Sequence, residues 1–152
     1  MENDKSTYRV KFRFRHLMLP VKNIERSIDF YTRLLKMGIA RWRDSEGRNI
    51  KAVFLSYGDE ENHTALELVE NTEPQGSAAI KPWDGHISIQ VQDLLELGNC
   101  LQSEGVRFIR PAGPLRPGRK DLLAIILDPD GYQIALTERF EKRAPQSMGG
   151  RA

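Results

Sequence analysis

Two histidines and a glutamate interrupt runs that are otherwise apolar. His16 leads HLMLPV, His86 leads HISIQV, and Glu67 stands between Leu66 and Leu68 in ALELVE. An unpaired carboxylate buried in such a run costs several kcal/mol unless something neutralises it. Two neutral imidazoles and one carboxylate suit a borderline divalent metal such as Zn²⁺, Ni²⁺, Mn²⁺ or Fe²⁺. His16, Glu67 and His86 are therefore the candidate metal ligands, with Glu67 also the candidate catalytic group, if the fold brings them to one cleft. Taken singly, each residue also reads as a hydrogen-bonded structural histidine or a solvent-facing glutamate. The matched placement of the two histidines favours the metal.

That match comes from an internal repeat. RHLMLPVKNIERSIDFYTRLL, residues 15–35, returns in weaker form as GHISIQVQDLLELGNCLQSEG, residues 85–105. His16 and His86 are seventy positions apart, and so are the two helix-cap candidates Asn23 and Asp93. A supersecondary unit has been duplicated.

The elements that must carry these residues follow from periodicity. Alternation predicts a strand over Tyr8–Val21, with His16, Met18 and Pro20 on one face and Leu17, Leu19 and Val21 packing on a helix. That helix runs from Ile24 to about Lys36, buries Ile24, Ile28, Phe30, Tyr31, Leu34 and Leu35, and stops at Gly38. Strands are predicted at Ile39–Arg43, Lys51–Tyr57 and Thr64–Glu70, then a polar connector over 71–82. The second half gives a strand at Gly85–Val91 and a helix over 94–104, capped by Asp93 and ended by Gly105. After it come a strand at Val106–Arg110, a Pro/Gly loop over 111–120, a strand at Leu122–Leu127, a turn at Asp128–Gly131 and a strand at Tyr132–Glu138. The fold class is α+β, two tandem βαβββ modules at about 8–71 and 83–140, with flexible ends at 1–7 and 141–152.

Bulk properties exclude other classes. With 152 residues, 39% apolar and 29% charged, the chain is long enough for a full core and ordinary for a soluble protein. A net charge of +2 falls short of a nucleic-acid footprint. No apolar run is long enough to span a membrane, and no secretory leader is evident at the start. The single cysteine, Cys100, points to a reducing, cytoplasmic setting and reads as an inert helix residue among apolar neighbours. Basic residues cluster twice. Arg9, Lys11, Arg13 and Arg15 read as a wet strand face, and Arg110, Arg116, Arg119 and Lys120 could hold an anionic substrate.

HLMLPVKNIERSIDFYTRLLKMG, ALELVEN, GHISIQV, the Ala112–Pro114 segment and DPDGYQIAL together resemble glyoxalase I (lactoylglutathione lyase) and its relatives in the vicinal oxygen chelate superfamily of glyoxalases, bleomycin-resistance proteins and dioxygenases. The resemblance covers roughly residues 12–140. It implies paired βαβββ modules forming a cleft, often completed by the partner subunit of a homodimer. It matches His16, Glu67 and His86 to the first three metal ligands of glyoxalase I. The family's fourth ligand, which is also its proton-shuttling base, is a glutamate four residues after the glycine of DPDGY; here that position is Ala135. Thr137 shares its parity, and Glu138 points to the opposite face unless the register shifts. Pro20 stands where an arginine commonly holds the glutathione carboxylate. Asn71 matches a glutathione-contacting asparagine, and Arg110 and Arg116 match basic positions of the glutathione-side loop.

What the resemblance implies is a divalent-metal lyase or isomerase for a small oxygen-chelating substrate, with a glutathione adduct among the candidates. The alternatives are an Fe(II) dioxygenase-like enzyme and a non-catalytic, drug-sequestering protein of the same fold.

Overall fold

The computed structural model describes residues 11–43, 45–76 and 80–140. They form two compact units that divide after Ala79, each with one four-stranded sheet. The termini expected to be flexible, Tyr8 and Arg9, and part of the 71–82 connector lie outside the described residues.

In the first unit β1 (His16–Val21), α1 (Ile24–Asp29) and a π-helical segment (Phe30–Leu34) lead into β2 (Gly38–Trp42), β3 (Ile50–Ser56) and β4 (Ala65–Asn71). The sheet order is β1-β4-β3-β2, with β1 parallel to β4 and the rest antiparallel. The predicted parity of β1 is observed: Leu19 and Val21 are fully buried, whereas His16, Met18 and Pro20 are exposed. Pro20 is tolerated because β1 is an edge strand and needs no second row of donors. Among the described residues the strand begins at His16, later than the alternation suggests. Its partner among the described residues, β4, starts opposite it at Ala65, and a ladder cannot form without a partner. Phe12 and Phe14 accordingly stay exposed.

Asn23 caps α1 as expected, its Oδ1 accepting from the Arg26 amide at 2.8 Å. The helix does not continue uniformly to Lys36. At Phe30 it widens to π geometry, and the Leu35 amide reaches back to the Phe30 carbonyl at 3.2 Å. Tyr31 and Leu35 are still buried. The chain leaves through Lys36 at φ 61°, so the reversal comes before Gly38, which opens β2 instead.

The second unit repeats the order: β5 (His86–Gln90), α2 (Leu94–Ser103), β6 (Arg107–Pro114), β7 (Leu122–Leu127) and β8 (Gln133–Glu138), with sheet order β5-β8-β7-β6. Gly105 ends α2 as predicted. At φ 76° its amide bonds the Gln102 carbonyl while the Val106 amide bonds that of Leu101, the two bonds of a Schellman motif. Pro111–Pro114, predicted as loop, belongs to β6. Bulges between Phe108 and Arg110 and between Arg110 and Gly113 absorb the residues that break the alternation. Cys100 is exposed on α2, on the side away from the buried Leu94, Gly98 and Leu101.

The Asp93 cap is not formed. Asp93 is left-handed at φ 54° and its side chain accepts no capping bond. The Glu138 carboxylate takes over, accepting from the Asp93 and Leu94 amides at 3.1 and 2.9 Å. Glu70 does the same for the Ile24 amide at 2.9 Å. In each half a glutamate on the helix-facing side of the closing strand thus ties down the helix that follows the opening strand. A carboxylate there satisfies amides that have no intrahelical partner and favours the positive end of the helix dipole. Glu138→Ala is expected to cost about 1 kcal/mol through loss of this cap, read from the midpoint of chemical denaturation.

Candidate metal centre

The face of the first sheet opposite α1 carries the candidate chemistry. Strand pairing lines up Arg41, Phe54, Glu67 and Met18 in one row across β2, β3, β4 and β1. His16 stands on the same face, two residues before Met18. Glu67 is 3% exposed, whereas His16 is open to solvent. His16 Nε2 lies 3.5 Å from Glu67 Oε2. A ring stack holds the imidazole in place. Phe54 meets it edge-on at 5.3 Å between centroids, and the Arg41 guanidinium covers Phe54 at 3.6 Å. Arg41 is in turn fixed by Glu60 through a 2.7 Å Nε–Oε2 contact.

The other oxygen of Glu67 faces a residue that the sequence does not single out. Arg43 Nη1 lies 2.7 Å from Glu67 Oε1. The angle is poor, and neither Oε1 nor Arg43 Nε has an aligned hydrogen-bond partner. The contact is therefore an ion pair, governed by distance more than direction. A bulge at Ala40 makes it possible. Ile39 pairs with Leu55, but Arg41 pairs with Phe54, so the extra residue turns Arg41 and Arg43 to the Glu67 side. Unbroken alternation from Ile39 would have sent both arginines to the helix side.

The donor set fits a divalent ion. Ligands at about 2.0–2.2 Å from one metal stand roughly 3 Å apart, and the 3.5 Å between His16 Nε2 and Glu67 Oε2 is close to that. Within the first unit no third His, Cys, Asp or Glu among the described residues joins the pair.

The equivalent row of the second unit is Arg110, Ile125, Ala135 and Ser88. Ala135 thus occupies the place that Glu67 holds in the first half, and it is 3% exposed. Both halves carry a bulge just before the row's arginine. One row along, opposite Leu123, the counterpart of Arg43 is Gly113. The first half keeps both members of the charge pair and the second keeps neither. Glu138 lies on the other face and is engaged with α2, so it does not stand in for the missing carboxylate. His86 is exposed at the start of β5, in the position that His16 holds on β1.

The other sequence candidates are placed individually. Asn71 ends β4, its Oδ1 accepts from the Glu73 amide at 3.0 Å, and a Cβ at Gly76 would run into its amide group. It shapes that turn. Arg110 Nη2 donates to the Pro114 and Leu115 carbonyls at 2.6 and 3.3 Å, holding the end of β6. Arg116 is exposed in the loop that follows. The DPDG turn is tied by Asp128 Oδ1, which accepts from the Asp130 and Tyr132 amides.

Comparison with known proteins gives a consistent set of similarities. The family profile described as "Glyoxalase/Bleomycin resistance protein/Dioxygenase superfamily" matches residues 13–136. A lactoylglutathione lyase of Neisseria meningitidis is 35% identical over 127 residues, 84% of this chain and 91% of that protein. The trypanothione-dependent glyoxalase I of Leishmania major is 35% identical with a TM-score of 0.72, over 84% of this chain and 87% of that one. Glyoxalase I from Zea mays is 29% identical with a TM-score of 0.71 over 86% of this chain, which spans only 46% of the maize chain.

Proposed function

We propose, since the chain belongs to the glyoxalase/bleomycin resistance protein/dioxygenase superfamily, that it is a divalent-metal enzyme of lyase or isomerase type. Its ligands are His16, Glu67 and His86, brought together in a homodimer. The substrate is a small molecule that chelates through adjacent oxygens, with a glutathione adduct the first candidate. The observation that carries this reading is the buried Glu67, with one oxygen turned to His16 at 3.5 Å. When bound, the metal supplies Lewis-acid polarisation of substrate oxygens.

The chain's own residues supply the rest. Phe54 and Arg41 orient His16. Arg43 holds Glu67 Oε1 and leaves Oε2 as the oxygen able to take a cation or a proton. Arg116, exposed beyond β6, is available to the anionic end of a substrate, while Asn71 and Arg110 serve it through the turns that they shape. Ala135 provides no base, so the reaction requires less proton transfer than hemithioacetal isomerisation or draws on Glu67 for it.

The test is elemental analysis of protein purified without chelators. One divalent ion per chain is expected in the parent, and a loss of at least 90% in His16→Ala and His86→Ala. Full metal content in either variant would remove that residue from the ligand set.

A second reading has its own support. Ala135 and the Arg43–Glu67 pair also suit a binding protein that uses its cleft without metal. Metal-free protein whose melting temperature rises with an aromatic or cationic ligand would select that reading.

A further inference from the structure

We infer that Arg43 is the resident counter-ion of Glu67 and sets how strongly the site takes a divalent cation. The inference rests on the metal-dependent reading above. A carboxylate that is 3% exposed needs positive charge beside it, and here a guanidinium 2.7 Å from Oε1 provides it from the chain itself.

Three observations fix this role. The pair is electrostatic in character, because its angle leaves Glu67 Oε1 and Arg43 Nε without aligned hydrogen bonds. A bulge at Ala40 is needed to put Arg43 on this face at all. The second half, which has Ala135 at the Glu67 position, has Gly113 at the Arg43 position. The arginine is present where there is a carboxylate to neutralise and absent where there is none.

The consequence is a site whose charge is balanced before metal arrives. An incoming dication meets Oε2 with the guanidinium a few ångströms behind it. Even with water-like screening, that repulsion weakens binding by about tenfold or more. Arg43 touches neither substrate nor metal in this account, so it is a positioning and affinity-setting residue.

Isothermal titration of the full chain with Ni²⁺ and Zn²⁺ tests this, using Arg43→Gln and Arg43→Lys. Gln keeps a hydrogen-bonding group without charge, and Lys keeps the charge without the fork. Arg43→Gln is expected to bind at least tenfold more tightly than the parent, to melt at lower temperature without metal and to gain more from metal. Arg43→Lys is expected to stay within about threefold of the parent. Equal or weaker binding by Arg43→Gln, with the parent binding normally, overturns the counter-ion role and leaves the metal reading intact. Absence of binding in both the parent and Arg43→Gln overturns the two together.

Discussion

Ala135→Glu is expected to raise turnover of a glutathione hemithioacetal at least a hundredfold in the presence of Ni²⁺ or Zn²⁺. The size follows from what one placed base contributes to proton transfer, typically 10²–10⁴-fold. The position is favourable because Ala135 stands in the second sheet where Glu67 stands in the first, between Ser88 and Ile125. The same change should destabilise the metal-free protein. Ala135 is 3% exposed, and its surroundings offer no counterpart of Arg43, since Gly113 occupies that place. A buried carboxylate without a cation costs several kcal/mol. Metal should therefore raise the melting temperature of Ala135→Glu far more than that of the parent. A variant that folds normally yet gains neither activity nor metal-dependent stability would show that position 135 does not face a metal site.

The second large effect concerns Glu67 itself. Glu67→Leu is expected to abolish metal retention outright, by removing the one carboxylate in the proposed ligand set. Its effect on folding should be smaller than that on metal and should depend on Arg43. Breaking wholly buried pairs costs 3–5 kcal/mol, but the Arg43 side chain is 35% exposed and can turn to water. A coupling of about 1–2 kcal/mol is expected in a double-mutant cycle of Glu67→Leu and Arg43→Leu, measured by denaturation. A coupling near zero would mean that solvent already screens the pair.

The parts of this site legible in the sequence are those whose residue type contradicts its neighbourhood. His16 and Glu67 interrupt apolar strands, as does the proposed ligand His86, which the repeat also pairs with His16. The closing strands and both helices are legible for a different reason, the strong and local periodicity of their apolar residues. Arg43 was not, because arginine at the end of a short strand is unremarkable and its direction depends on an extra residue at Ala40. The caps supplied by Glu70 and Glu138 were hidden because they come from strands far along the chain, while Asp93 offered a plausible local cap that the left-handed backbone does not use. The overlong first strand has a related cause: alternation describes a side-chain pattern, but a strand also needs a neighbour, and β4 begins only at Ala65.

The two carboxylates of β4, Glu67 and Glu70, have opposite parity and answer to different neighbours. One faces His16 and the other the start of α1. On β8 the corresponding residues are Ala135 and Glu138, and the helix anchor is intact although an alanine stands where β4 has its inward carboxylate. Chemistry and foldability are thus written on separable positions three residues apart. Each duplicated half can exchange or discard its reactive group by a single substitution while its strand-to-helix tie keeps the module standing, which gives one scaffold many routes to new reactions.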